Sequence, residues 1–242
     1  MTGLGGRAAV AVFTAALVAL PASIAQAQAS QCRIPGKPVS VPRIVPDGQP
    51  RRTPVTGYTL ALSWSPEFCR TRKADRSHAR QCSGNDGQFG LILHGLWPEG
   101  AGARYPQWCS AARQPSPETV RRQLCMMPSA RMVAHEWAKH GSCMVRTPES
   151  YFKVSQILWK SLRLPDLDRL SRQDNLTVGD LRRAFVRANP AWDGRQIGVT
   201  INQRGWLREV RLCYGKDFMP TACGPRRLGP RNSTALRIWR GF

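Results

Sequence analysis

The chain has 242 residues, of which 42% are hydrophobic and 21% charged, a balance that excludes a fibrous or an intrinsically disordered protein. Its 36 lysines and arginines outnumber 15 aspartates and glutamates, and the formal net charge of +21 is expected to attract polyanions. Nucleic acid is the commonest polyanion, while anionic membranes and glycans are the alternatives at this stage. The length suits one domain behind a processed leader.

The first 29 residues have the pattern of a secretory signal peptide. Arg7 precedes an apolar run over residues 8–20, and the small residues that follow predict cleavage near Ala27 or Ala29. The apolar run is too short to favour a permanent membrane span. The sequence therefore predicts a secreted or periplasmic protein without a membrane anchor.

Eight cysteines in an exported chain predict a disulfide framework. A zinc site is the alternative, but such sites usually contain Cys-x-x-Cys pairs, and the sequence has none. The length of the polar loop that Cys69 begins favours a disulfide between Cys69 and Cys82. The cysteines are Cys32, Cys69, Cys82, Cys109, Cys125, Cys143, Cys213 and Cys223.

Residues 30–57 are rich in proline and basic residues, and they predict an extended arm that leads into a domain over residues 58–242. The alternation from Tyr58 to Trp64 is typical of a half-buried strand. The apolar run from Phe89 predicts a core strand that ends at His94. A glycine-containing loop is expected to follow that strand.

Capping signals predict three helices in the middle of the chain. The first is expected over Ser129–His140, and the second is expected to start at Thr147, contain residues 151–162 and stop before Pro165. The third begins at a capping box formed by Thr177 and Asp180 and ends near Asn189. These helices form one continuous block of the sequence.

The tail alternates again at Ile197–Ile201 and at Leu207–Tyr214, which predicts two further strands. Helices and largely antiparallel strands therefore occupy separate blocks of the chain. That order favours an α+β domain.

The segment His135–Cys143 contains the strongest chemical signal. In a helix His135 and Lys139 lie one turn apart, and Glu136 and His140 form a second such pair beside them. A zinc peptidase motif has two histidines one turn apart, whereas these two diverge by about 140°. General acid–base chemistry on an anionic group explains the four clustered side chains better than a metal site or a solvated helix face.

A second candidate segment is His94-Gly-Leu-Trp-Pro98. A histidine at the end of a strand, followed by a glycine and an aromatic residue, is well placed to face a reacting phosphate. A single histidine of this kind is more often structural. However, three of the four histidines in the chain fall in these two segments, and the fourth, His78, is expected to face solvent.

Together, the two segments resemble the active-site segments of the ribonuclease T2 family, in the family's order. The resemblance runs from about Tyr58 through the region after the third helix. It implies an α+β domain with a central, mainly antiparallel sheet flanked by helices. It also implies an endoribonuclease of single-stranded RNA, in which the 2′-oxygen attacks the adjacent phosphorus. The product has a 2′,3′-cyclic phosphate, which slower hydrolysis converts into a 3′-phosphate.

The resemblance implies a role for each charged side chain. His140 is the base and His94 the acid, and the two exchange roles in the hydrolysis step. Lys139 and His135 stabilise the negative charge of the transition state, and Glu136 orients His140 or Lys139. No metal or cofactor is required, and DNA is not cleaved because it lacks the nucleophile.

The resemblance also implies base-binding residues. Trp97 matches the family's aromatic residue that stacks on a base, and Glu99 and Tyr105 stand where some relatives have an acidic base contact and a second aromatic ring. Stacking suits many bases, so it predicts broad specificity. The alternative for Trp97 and Tyr105 is a purely structural role in the core.

Two disulfides follow from the same resemblance, Cys109–Cys143 and Cys213–Cys223. With Cys69–Cys82 expected from loop length, Cys32 and Cys125 are the remaining pair.

Two other functional classes are compatible with the charge. A basic RNA- or surface-binding protein with a degenerate site is one, although no catalytic residue is missing here. A cationic membrane-active protein is the other, and it would need an amphipathic basic helix with a broad apolar face, for which the predicted helices provide no strong case. The favoured prediction is a monomeric ribonuclease whose partner is RNA.

Overall fold

The computed structural model describes residues 1–2, 31–102, 104–110 and 113–241. Apart from its first two residues, the predicted signal peptide lies outside the described residues. The described part of the proline-rich arm, up to residue 56, contains neither a helix nor a strand, and Arg51 makes an isolated β-bridge with Gln107.

A four-stranded antiparallel sheet forms the centre of the fold. The strands are β1 (Gly57–Trp64), β2 (Leu91–Glu99), β3 (Ile197–Ile201) and β4 (Leu207–Tyr214). Their order across the sheet is β2-β1-β4-β3, and all neighbours are antiparallel. The strand β1 lies inside the sheet, where Leu60, Ala61 and Leu62 are fully buried. The predicted α+β class and central antiparallel sheet are confirmed.

Helices flank this sheet. They are α1 (Ser65–Cys69), α2 (Ala79–Cys82), α3 (Pro117–Gln123), α4 (Ala130–Lys139), α5 (Pro148–Ser161), α6 (Leu167–Leu170), α7 (Val178–Ala188) and α8 (Pro225–Leu228). Ser129 caps α4 by accepting a hydrogen bond from the Met132 amide, and Thr177 and Asp180 form a reciprocal capping box at α7. The three predicted helices are confirmed. None of the helices in the described ranges is long and apolar enough to cross a bilayer.

Two predictions about the strands and loops were wrong. The strand β2 does not end at His94 but continues to Glu99, because residues beyond His94 still pair with β1. The polar segment that begins at Cys69 is not wholly a loop, since α2 lies within it. A helix of four residues is too short to produce a periodic pattern in the sequence.

The helix α5 contributes a tyrosine that ties the core to the strand bearing His94. The hydroxyl of Tyr151 donates to the carbonyl of Leu96 and accepts from its amide, both at 3.1 Å. Tyr151 is 1% exposed and lies beside Trp137 of α4. These contacts hold α4, α5 and β2 together as one packed unit.

Four disulfides staple the described chain. The bond between Cys109 and Cys143 joins the segment after β2 to the turn after α4. The bonds are Cys32–Cys125, Cys69–Cys82, Cys109–Cys143 and Cys213–Cys223. The bond between Cys32 and Cys125 fixes the arm covalently to the turn that follows α3.

Candidate active site

His94 is the extra residue of a β-bulge. Ala61 of β1 pairs with Gly95 and Leu62 pairs with Leu93, which leaves His94 without a partner on β1. A bulge turns one side chain away from the regular alternation of a strand, and such bulges are frequent beside active sites. The imidazole of His94 therefore emerges from the middle of β2 with 38% of its surface exposed.

A row of polar side chains crosses the sheet beneath this imidazole. The Nδ1 atom of His94 lies 2.9 Å from Glu209 Oε2 on β4 and 3.3 Å from Ser63 Oγ on β1. Burial raises the pKa of Glu209, but the hydrogen bond from His94 and the charges of His94 and Arg211 lower it by more. The pKa of Glu209 therefore lies below its ordinary value. An ionised carboxylate can only accept, so Nδ1 carries the proton and Nε2 is left for chemistry.

The electrostatics of His94 favour its protonated form. Burial lowers its pKa, but the hydrogen bond with Glu209 and the charges of Glu136 and Glu209 outweigh burial, so the pKa lies above its ordinary value. The Nε2 atom of His94 lies 3.6 Å from Glu136 Oε1. His94 is thus held between two carboxylates on opposite sides.

Glu136 is the buried residue of α4 at the centre of this site. It is 2% exposed, and its Oε2 accepts a hydrogen bond of 2.7 Å from Trp97 Nε1. Burial raises the pKa of Glu136 to about 7. The described contacts of Glu136 are to Trp97 and His94, so its expected role of orienting His140 or Lys139 stays a prediction.

His140 lies at the C-terminal end of α4 between two aromatic rings. Its imidazole centroid is 5.6 Å from that of Trp97 and 6.1 Å from that of Tyr105. The residue is 7% exposed, and its Nδ1 atom has no hydrogen-bond partner within the described parts of the chain. Burial, together with the positive charges of Lys139, His135 and His94, lowers the pKa of His140 well below its ordinary value.

His135 and Lys139 lie together one turn apart, as predicted, and both face Asp47 of the arm. The Nζ atom of Lys139 is 2.9 Å from each oxygen of Asp47, and His135 Nε2 is 3.9 Å from Oδ2. The indole of Trp108 donates to the same carboxylate at 3.2 Å. The hydrogen bond with Lys139 lowers the pKa of Asp47. Lys139 and His135 thus form an anion-binding pair that already holds a carboxylate.

The candidate base-binding residues fall into two places. Trp97 is half-buried beside both His94 and His140, and Tyr105 is 36% exposed beside His140 beneath the guanidinium of Arg51. Glu99 lies at the far end of β2. Its Oε1 accepts a 2.6 Å hydrogen bond from Thr59 and lies 3.7 Å from the guanidinium of Arg227.

The sequence model of the ribonuclease T2 family matches residues 56–219, which include both motif segments. This chain belongs to the ribonuclease T2 family. The family expected from the two motifs is thus confirmed.

Curated relatives agree with this assignment, and a solved structure resembles the fold. A probable ribonuclease of Haemophilus influenzae is 39% identical over 187 residues, which are 73% of this chain and 64% of that protein. A ribonuclease of Aeromonas hydrophila is 33% identical over 165 residues, covering 66% of this chain and 72% of its own. The structure of trichomaglin, described as a novel S-like ribonuclease, matches with a TM-score of 0.61 at 21% identity. It covers 76% of this chain and 98% of trichomaglin, and this likeness supports the fold.

Two acidic residues of this T2-family site were missed by sequence reasoning. Glu209 is separated from His94 by 115 residues, and Asp47 from Lys139 by 92. Glu209 left little signal, because β4 also contains Arg208 and Arg211, so that one more charged residue does not stand out in its sequence. Asp47 left none, since it lies in an arm without periodicity.

Replacing Asp47 with asparagine is expected to lower the pKa of His135 further. Burial and the charge of Lys139 already lower that pKa, and Asp47 opposes them. The substitution removes the opposing negative charge while Lys139 remains. An NMR titration of the histidine ring protons measures the shift.

The matched control is Asp168→Asn. Asp168 is 57% exposed, close to the 53% of Asp47, and it pairs with Arg172 rather than with the site. A His135 pKa that is unchanged or higher in Asp47→Asn would contradict the described contact.

Proposed function

We propose that this chain is the endoribonuclease that its family membership indicates, cleaving single-stranded RNA with His140 as base and His94 as acid. This proposal is supported most strongly by the positions of both imidazoles beside Trp97, at centroid distances of 5.3 and 5.6 Å, together with the opposite displacement of their pKa values. A base must start neutral and an acid must start protonated. Burial and neighbouring cations keep His140 neutral, whereas Glu209 and Glu136 favour the protonated form of His94.

In the first step, neutral His140 takes the proton of the RNA 2′-hydroxyl. The 2′-oxygen then forms a bond to the adjacent phosphorus, and the bond from phosphorus to the 5′-oxygen breaks. Protonated His94 gives a proton from Nε2 to the departing 5′-oxygen. The products are a 5′-hydroxyl and a 2′,3′-cyclic phosphate.

In the second, slower step the two imidazoles exchange roles. His94, now neutral, takes a proton from water, and the water oxygen attacks the cyclic phosphate. His140, now protonated, returns a proton to the 2′-oxygen as its bond to phosphorus breaks. The product is a 3′-phosphate, and both residues regain their starting protonation states.

His135 and Lys139 stabilise the negative charge that develops on the phosphoryl oxygens. An incoming phosphate competes with Asp47 for these two donors, which now hold the aspartate carboxylate. Glu136 accepts a hydrogen bond from Trp97 and lies beside His94, where its negative charge stabilises the protonated imidazole. The reaction needs neither a metal ion nor a cofactor.

Base recognition is assigned to the aromatic residues beside His140. Trp97 and Tyr105 stack on bases next to the cleaved bond, and Glu99 contacts a base edge if it leaves Thr59. Stacking on two rings predicts cleavage after more than one type of base.

The predicted leader and the four disulfides support secretion or a periplasmic location. The net charge of +21 supports attraction of RNA. We propose that the protein acts as a monomer without a membrane anchor.

The purified protein is expected to convert a dinucleoside monophosphate into a nucleoside and a 2′,3′-cyclic nucleotide. Product analysis by chromatography, with and without EDTA, measures the reaction. The matched control substrate carries 2′-deoxyribose at the cleaved position and is expected to remain intact.

Loss of activity with EDTA, or cleavage of the deoxy analogue, would contradict this chemistry. RNA binding without any cleavage would instead favour the class of basic binding proteins.

A further inference from the structure

A cleft of about 1220 Å³ extends beyond the catalytic residues. Its lining includes His94, Trp97, His135 and Glu136 of the candidate site. The lining continues onto the beginning of α4, the turn between β3 and β4, and the segment that follows α1. The cleft therefore adjoins the His94 side of the candidate site, while His140 and Lys139 are not part of its lining.

Arginine is the dominant charged residue of this cleft. The arginines in its lining are Arg70, Arg72, Arg131, Arg204, Arg208 and Arg211. Arg70 pairs with Glu67, and Arg211 pairs with Glu209. The other four make no ion pair with a carboxylate in the described ranges, and Arg131, Arg204 and Arg208 are exposed.

The acidic residues of the cleft do not neutralise these exposed arginines. The lining contains three carboxylates, those of Glu67, Glu136 and Glu209, in the part of the chain that the structure describes. Glu67 accepts a hydrogen bond from Asn202 and pairs with Arg70. Glu136 contacts Trp97 and His94, and Glu209 contacts His94. A cleft with a surplus of one sign of charge focuses its field on an oppositely charged ligand.

We propose that Arg131, Arg204 and Arg208 bind the phosphodiesters of nucleotides that flank the cleaved bond. The preferred substrate is therefore a single strand of several nucleotides, which this cleft binds more tightly than a dinucleotide. This inference rests on the proposed function, because it takes the cleaved bond to lie beside His94. Guanidinium groups suit the task because they bind phosphate oxygens through two parallel hydrogen bonds.

The test compares the wild-type protein with the triple variant Arg131→Ala, Arg204→Ala, Arg208→Ala. The control variant is Arg146→Ala, Arg163→Ala, Arg231→Ala, which removes the same charge from exposed arginines outside the cleft lining. The substrates are a dinucleotide and a 12-nucleotide strand with one ribonucleotide among 2′-O-methyl residues. The measured quantity is the ratio of kcat/KM for the two substrates.

We expect the wild type and the control variant to prefer the longer strand by at least about tenfold at low salt. The cleft variant is expected to lose most of this preference. In the cleft variant, the slope of log kcat/KM against log salt concentration is expected to become shallower by about 2. The reason is that each of the three lost phosphate contacts on a single strand contributes about 0.7 to the slope.

A second measurement keeps the inference independent of catalysis. Fluorescence anisotropy gives the Kd for a fully 2′-O-methylated 12-nucleotide strand, which cannot be cleaved. The cleft variant is expected to bind it at least about tenfold more weakly than the control variant. Equal weakening in both variants, or no length preference in the wild type, would overturn the inference. Failure to cleave the dinucleotide would overturn the proposed function and leave this binding result intact.

Discussion

Replacing His140 with alanine is expected to lower kcat for dinucleotide cleavage by about a hundredfold to ten-thousandfold. The substitution removes the group proposed to take the 2′-proton. Glu136 is not expected to take over as the base, because its carboxylate is bound to Trp97 beside His94. His94→Ala is expected to cost a loss of the same order. Steady-state kinetics on a dinucleotide measures both variants.

The pH profile separates the two roles. Wild-type kcat/KM is expected to fall below the depressed pKa of His140, where the base becomes protonated. It is expected to fall again above the raised pKa of His94, where the acid loses its proton. His140→Ala should remove the acidic limb and His94→Ala the alkaline limb.

Binding of the uncleavable 2′-O-methyl strand and the thermal midpoint are the controls for folding. Both variants are expected to keep them near wild-type values. A kcat within tenfold of wild type in His140→Ala, with these controls intact, would remove His140 from the reaction.

Local signals explain what could be predicted from the sequence. The caps at Ser129 and Thr177 act within four residues, so the bounds of α4 and α7 follow from short patterns. The pairing of His135 with Lys139 follows from helix geometry alone. The strands β3 and β4 alternate clearly enough to be predicted at their observed bounds.

The remaining features of the site depend on contacts between distant segments. The bulge at His94 arises from the register between β1 and β2, which the sequence of β2 alone does not specify. Glu209 on β4 contacts His94 on β2 across the intervening strand β1, so the contact depends on the order of the strands in the sheet. Asp47 meets Lys139 because the arm pairs with Gln107, an interaction without a sequence signature.

A glycine follows His94 for a steric reason. A Cβ atom on Gly95 would overlap the carboxylate of Glu136 and lie 2.8 Å from Trp97 Nε1. The backbone of β2 therefore approaches α4 more closely than any other residue type allows. This close approach brings His94 within 3.6 Å of Glu136.

Gly95→Ala is therefore expected to lower kcat by about a hundredfold, because displacements near 1 Å in an active site have effects of that size. Overpacking is expected to lower the free energy of unfolding by about 1–3 kcal/mol. Kinetics and chemical denaturation measure the two effects. Gly36→Ala is the matched control, since a Cβ atom there would have no neighbour within 4 Å.

Shortening the opposing side chain tests the cause directly. In the double variant Gly95→Ala, Glu136→Asp, the aspartate carboxylate withdraws from the new methyl group, so part of the lost unfolding free energy is expected to return. The activity is not expected to return, because the carboxylate no longer reaches Trp97 and His94 in the same geometry. If Gly95→Ala kept the stability and kcat of the wild type, β2 and α4 could move apart without loss. The close packing at Gly95 would then not be what positions His94.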